Sequence, residues 1–206
     1  YVYRTRKPMK TKNKIFQFIL SLSFFFAFKP ILYSITSFVR RKTTLLNSFF
    51  NERYNDINQY NPEYFFDMCD FQKRIGINQL KKFNVLINRR REIGNLYYNL
   101  FIDHYPWVKH YWEKNTPYSH IPFLHPYRDD LQKYLLKNGI DSEKYFDYTV
   151  TEICKYTHDG KFPKAERLAN QMLNLPINVV LKEKTIIKIV EAVKEFDKKN
   201  LVKNLN

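Results

Sequence analysis

The chain has 206 residues, enough to bury one core or a core with an appendage, and it carries 35 Lys and Arg against 20 Asp and Glu, a net charge of +15 at pH 7. Aromatic residues make up 17% of it, too many for a disordered tail, and the excess of base reads as solvated faces in a Lys- and Asn-rich chain rather than as a nucleic-acid footprint. Two cysteines, Cys69 and Cys154, exclude a disulfide framework and fit the reducing cytoplasm, while Gly76, Gly94, Gly139 and Gly160 include no Gly-rich loop to cradle a phosphate.

The chain opens on Tyr1 rather than Met, which leads us to expect a piece of a longer product. Residues 1–14, YVYRTRKPMKTKNK, form a basic arm with six Lys and Arg and no acid. Residues 15–67 read as an apolar helical hairpin followed by a polar loop. The hairpin runs from Ile15 to Phe28, breaks at Lys29-Pro30, and continues from Ile31 to Val39 before Arg40-Arg41-Lys42. Its uninterrupted arm of fourteen residues falls short of the roughly twenty needed to span a bilayer. We expect it to pack on protein or lie at a membrane face, which leaves a peripheral membrane contact open. Residues 51–67 are Asn-rich, contain Pro62 and read as a loop.

From Met68 to Phe101 the spacing predicts one long amphipathic helix. Phe71, Ile75, Leu80, Phe83, Leu86 and Ile87 form its first stripe, and Ile93, Leu96, Tyr97 and Leu100 continue it until Pro106 ends the region. Trp107 and Trp112 read as caps on a core or a dimer contact. Tyr118 to Leu124 is β-like, and Pro122 within it marks an edge strand. Arg128 to Lys137 is a helix with Leu131, Leu135 and Leu136 inward, stopped by Asn138-Gly139. Ile140 to Tyr148 reads as a strand and turn, and Lys164 to Leu173 as a helix with Pro163 in its first turn. Leu175-Pro176-Ile177 reads as a short strand, and a last helix carries Ile186, Ile189, Val190, Val193 and Phe196 inward. Alternating strands and helices make a small α+β unit, one sheet face covered by helices.

Several side-chain groups invite functional readings. The histidines (His104, His110, His120, His125 and His158) have no helical i, i+4 pair and no Cys or acid that completes a ligand set, so no metal is expected. Arg128-Asp129-Asp130 places acids in a helix's first turn, where the dipole favours them. Glu166 and Arg167 read as surface contacts, and Arg89-Arg90-Arg91 as a solvated helix face or an anion contact. Cys69 and Cys154 read as small buried residues.

Three segments carry a resemblance to a known family. DFQKRIGINQLKKFNVLINRRR (Asp70 to Arg91) is similar to the pattern SDFQAALGLxQLxxLDxxxxxRR of the DegT/StrS-type aminotransferases. IPFLHPYRDDLQKYLLKNGID (Ile121 to Asp141) resembles that family's strand, R-D-x-L helix and Gly-Ile step. FPKAERLANQMLNLPIN (Phe162 to Asn178) resembles its F-P-x-A-E-x-L-A run. They stand in the family's order over much of the chain.

The resemblance implies that residues 68–206 are the C-terminal small domain of a fold-type I aminotransferase, entered by a linking helix. Residues 1–14 would then end an upstream large domain. It implies pyridoxal 5′-phosphate as cofactor, a nucleotide-linked keto-sugar as substrate, glutamate as amino donor, a homodimer that builds the site, and a role in cell-surface polysaccharide synthesis. Such chemistry needs a lysine that forms an imine with the cofactor and an acid that keeps its ring nitrogen protonated. Lys7, in RTRKPMKT, resembles the family's lysine motif, with Lys10 a weaker match, although the Gly-Glu-Gly-Gly that should follow is absent. Other cofactor contacts cannot be assigned to residues of this chain. Phe65-Phe66-Asp67-Met68 stands where the family has Asn-Tyr-Arg-Met, so an amide and a cation that would serve a phosphate are missing. Lys73-Arg74 replaces two small residues, and Tyr145-Phe146 lies near a family His. Two alternatives stay open: a non-catalytic dimerisation or scaffold relative, and a basic protein of the membrane surface.

Overall fold

In the computed structural model, which describes residues 7–27, 29, 32, 66–144, 148–149 and 161–203, the chain divides into two units, Tyr1–Lys81 and Lys82–Asn206. In the first unit, helix α1 (Thr11–Ala27) begins inside the basic arm, so Lys12 and Lys14 are helical. The hairpin's second arm apart from Leu32, and the polar loop as far as Phe65, lie outside the described residues.

Helix α2 (Asp70–Lys81) starts with an acid in its first turn, favourable at the positive end of the helix dipole. Gln72 reaches back to accept both the backbone N–H and the thiol of Cys69, each at 3.0 Å, which satisfies a donor ahead of the helix. Cys69 is buried there as a small residue.

The expected single helix from Met68 to Phe101 is interrupted. A turn at Lys82 (φ −95°, ψ −2°) separates α2 from helix α3 (Phe83–Phe101). The stripe that predicted continuity is also not buried here: Ile75, Phe83 and, at 70% exposure, Leu80 face outward, and α2 buries no residue. Phe71 of the stripe meets the Phe18 ring with centroids 5.5 Å apart, but Ile75, Leu80 and Phe83 gain little from tertiary packing to hold the helix through that stretch.

The second unit comprises α3, a one-turn helix α4 (Val108–Tyr111), strand β1 (Ile121–Leu124), helix α5 (Arg128–Lys137), helix α6 (Pro163–Gln171), strand β2 (Met172–Leu175) and helix α7 (Glu183–Lys203). Strands β1 and β2 pair antiparallel, with Ile121 opposite Leu175 and Leu124 opposite Met172. Pro122 faces Asn174, whose own N–H and C=O turn away to bond Glu143 on the far side. The missing proline N–H is therefore not called on by β2, and the Pro122 carbonyl accepts the Trp112 indole N–H at 2.9 Å. The predicted strand at Ile140–Tyr148 is represented among the described residues by this single bridge at Glu143, with 145–147 outside them.

Other boundaries shift for physical reasons. The edge strand is confined to its last four predicted residues. The helix expected over Lys164–Leu173 stops at Gln171, because Leu173 and Leu175 are drawn into the sheet core from β2. That strand ends at Leu175, where the sequence predicts the run Leu175-Pro176-Ile177 to begin one, and the Pro176 carbonyl accepts the Tyr97 hydroxyl at 2.9 Å. Leu136 faces out although predicted inward, since it lies about 100° around α5 from Leu135. Leu131 and Leu135, four apart, are fully buried.

The stop of α5 follows the sequence closely. Gly139 takes φ +74°, with its N–H bonded to Leu136 O and the Ile140 N–H to Leu135 O, a Schellman cap.

Helix α7 packs on α3 and α5, α5 on β2, and α6 on β1. Ile186, Ile189, Val190, Val193 and Phe196 are all buried, in line with their helical spacing. Phe101 and Phe123, with ring centroids 5.0 Å apart, centre an aromatic cluster that also holds Tyr97, Tyr105, Trp107 and Trp112. Both tryptophans thus close the core of their own unit. Gly94 makes room for this packing, because a Cβ there would lie 2.8 Å from the Tyr118 ring.

Candidate functional site

In the first unit, Lys7 lies against the residues just ahead of α2. It pairs in parallel with Phe66, and the Asp67 N–H donates to the Lys7 carbonyl at 3.0 Å. The structure therefore brings together the proposed lysine segment and the departure from the family's Asn-Tyr-Arg-Met. Lys7, Lys10 and Asp67 are exposed, and Phe66 is half-buried.

A pyridoxal phosphate site needs a lysine, an acid for the ring nitrogen, an aromatic to stack and donors for the phosphate. Around Lys7 the described residues offer an exposed lysine and an exposed acid. Neither Gly76, in mid-α2, nor Gly94, in mid-α3, nor Gly139, in a helix cap, opens a loop of free amides. By themselves the described residues do not fit the cofactor, and no step is assigned through it.

The second unit holds a partly buried polar cluster outside the sequence expectations. His125 closes β1, its N–H donating to the Gln171 carbonyl at 2.9 Å, and its ring is buried. The Tyr127 N–H donates to Nδ1 at 3.0 Å, so the ring proton sits on Nε2 and is given to Asp197 Oδ1 at 2.8 Å. The Tyr105 hydroxyl donates to the other oxygen, Asp197 Oδ2. Burial works to raise the Asp197 carboxyl, but the hydrogen bonds from His125 and Tyr105 outweigh it and hold the group below the usual carboxylate range. Burial, then the bond to Asp197, push the Tyr105 phenol well above its ordinary value.

Each ring nitrogen and each carboxylate oxygen in this cluster already has a protein partner. It is therefore a clasp joining the turn after α3, the end of β1 and α7, rather than a free acid–base pair. Asp197 partners His125 by a hydrogen bond without completing a metal-ligand set, a pairing that the sequence reading, concerned with ligand spacing, does not consider. The signal was present: Asp197 stands four residues after Val193, on the buried stripe of α7, where an acid requires a partner.

The arginines also do structural work. Arg89 donates to the carbonyls of Val179 at 3.4 Å and Leu181 at 2.6 Å and pairs with Glu92 at 2.7 Å. Arg91 donates to the Asn115 carbonyl at 3.0 Å. Part of the expected solvated or anion-binding cluster is thus occupied in tying loops to α3. Arg128 is buried and donates to the Ala169 carbonyl at the end of α6. Asp129, bonded by Lys144 at 3.0 Å and Arg128 at 2.9 Å, is held below its ordinary range by those two contacts. It is a tether, not a spare general acid.

Among the described residues no three His, Cys, Asp or Glu side chains gather as a metal site, and no helix is long and apolar enough to cross a membrane. Cys154, His158, Tyr145 and Phe146 lie outside the described residues.

Comparison with known proteins bears on the whole arrangement. Residues 41–194 match the model of the DegT/DnrJ/EryC1/StrS aminotransferase family. The chain is 30% identical over 139 residues to dTDP-4-amino-4,6-dideoxy-D-glucose transaminase of Escherichia coli, an alignment covering 60% of this chain and 37% of the relative. Among solved structures, DesV of S. venezuelae superposes with a TM-score of 0.55 at 18% identity, over 82% of this chain and 44% of that one. Helicobacter pylori PseC, an aminotransferase involved in the biosynthesis of pseudoaminic acid, gives 0.54 at 17% identity, over 81% and 46%. The likeness to these structures shows the fold: α+β, of the fold-type I aminotransferases. The chain spans less than two-fifths of the curated relative and less than half of either structure.

Proposed function

Because this chain belongs to the DegT/DnrJ/EryC1/StrS aminotransferase family, we propose that it forms the C-terminal part of a pyridoxal-phosphate-dependent transaminase acting on nucleotide-linked keto-sugars. The observation that carries the reading is the family match over residues 41–194, a span that takes in α2, α3, β1, α5, α6 and β2. A relative that is a dTDP-amino-sugar transaminase supports a nucleotide sugar as the acceptor. Glutamate as donor, a homodimer that completes the site and a place in cell-surface polysaccharide synthesis belong to the same proposal. In it, this chain supplies the small domain, and the cofactor rests mainly on residues other than those described.

Lys7 is the proposed cofactor lysine within the chain. Its support is the resemblance of RTRKPMKT to the family's lysine motif. The test uses the full-length protein purified with pyridoxal phosphate. Near-visible absorbance of lysine-bound cofactor is expected, with its loss in Lys7→Ala. Absorbance retained in that variant moves the lysine elsewhere, and absorbance absent from the wild type overturns the enzyme reading. The second reading, a non-catalytic relative, rests on Asp67, an exposed acid where a phosphate-binding arginine would stand. The same absorbance separates the two.

A further inference from the structure

Helix α1 is built inside out. Its half-buried stripe is Asn13, Gln17, Leu20 and Ser21, spaced i, i+4, i+7 and i+8, and is mostly polar. Its outward side is apolar, with Ile15, Phe16, Ile19, Leu22, Phe25 and Phe26 between 47% and 59% exposed. A helix meant to face water has the reverse arrangement.

Nothing along that apolar stretch calls for water. The Ser21 hydroxyl donates to the Gln17 carbonyl and the Ser23 hydroxyl to the Leu20 carbonyl, each at 2.8 Å, so both are satisfied within the helix.

Charge bears on what this side of α1 would meet. Lys10 precedes α1, Lys12 and Lys14 lie near its start, and Lys29 follows its end with Nζ 4.5 Å from the Phe25 ring centre. The first acid in the chain is Glu52. Lysines at a helix N-terminus oppose the helix dipole, and no acid stands in the first turn of α1 to offset them. An external anionic surface would reverse that penalty. At 17 residues α1 is about 25 Å long, short of the roughly 30 Å hydrocarbon layer. Its geometry suits lying in the headgroup boundary rather than crossing it.

We propose that α1 is a monotopic docking helix for an anionic lipid bilayer, with Phe16, Ile19 and Phe25 entering the interfacial layer and Lys10, Lys12 and Lys14 meeting the headgroups. Apolar insertion and basic charge together supply the two signals that stable peripheral binding requires. The proposal stands apart from the catalytic one, since vesicle binding and cofactor absorbance are read separately.

The experiment is co-sedimentation of the full-length protein with phosphatidylcholine vesicles, with and without phosphatidylserine. The wild type is expected to pellet with the anionic vesicles and to be released as salt is raised. Each neutralised lysine at the surface should weaken binding roughly fivefold, so Lys10→Gln/Lys12→Gln/Lys14→Gln loses about a hundredfold. Phe16→Asp/Ile19→Asp, checked for unchanged helix content by circular dichroism, should stay in the supernatant. A wild type that ignores phosphatidylserine vesicles overturns the proposal, and this result needs no variant to fold. Undiminished binding by the Asp variant also overturns it. So does a variant that shifts from dimer to monomer with vesicle binding unchanged, because a second copy would then be what covers α1.

Discussion

Replacing Asp197 by Asn tests whether the half-buried clasp holds the second unit together. Asp197 accepts from Tyr105 through one oxygen and from His125 through the other, the latter at 2.8 Å, with the carboxylate side chain 26% exposed. A hydrogen bond to a charged acceptor contributes about 1.5–3 kcal/mol net, and an asparagine retains one acceptor oxygen for two donors. One donor then faces an amide N–H, so D197N should lose about 2–3 kcal/mol of unfolding free energy. Urea unfolding read by far-UV circular dichroism, alongside Tyr105→Phe and the double variant, gives the coupling between the two side chains. That coupling should exceed about 1 kcal/mol.

The pH dependence has a definite sign. The folded carboxyl lies below its ordinary range, so its contribution is present above about pH 4 and is lost as pH falls through the folded value. Wild-type stability should therefore drop more steeply on acidification than that of D197N. A D197N protein within about 0.5 kcal/mol of wild type, with parallel acid profiles, would refute the clasp as a stabilising unit.

Gly94→Ala should destabilise by about 1–3 kcal/mol despite its better helix propensity, because the new methyl meets a Tyr118 ring pinned by its hydroxyl to the backbone of Glu113. The chemical-denaturation midpoint reads this, and Gly94→Ala/Tyr118→Ala should recover part of the helix gain. Phe123→Ala removes the ring at the centre of the aromatic cluster and should cost about 3–5 kcal/mol by the same measurement. Gly139→Ala forces a Cβ into φ +74° with open space around it, so only the backbone strain of about 1–2 kcal/mol should appear in the thermal midpoint.

Much of the second unit was legible because its signals are local and agree with one another. The α7 stripe buries all five expected residues, the Asn138-Gly139 stop becomes a Schellman cap, and Pro163 sits in the first turn of α6. Boundaries moved where a neighbour decides the outcome. Leu173 reads as a helical apolar position until the pairing of β1 with β2 places it in the sheet. The stripe at Ile75, Leu80 and Phe83 has helical period, yet period alone does not say whether anything covers it. The clasp was hidden because Tyr105, His125 and Asp197 are far apart in sequence, and only the packing of α7 brings them together. The placement of Lys7 against Phe66 is a tertiary fact that no local signal contained.

The proposed function is tested most directly by mixing the full-length protein, pyridoxal phosphate and glutamate with a dTDP-linked 4-keto-6-deoxy sugar, and following formation of the amino sugar nucleotide. The proposal predicts amino-sugar product and 2-oxoglutarate in equal amounts, both dependent on added cofactor. Cofactor that binds without either product would contradict the sugar-aminotransferase assignment, and protein that binds no cofactor would leave the fold without the chemistry.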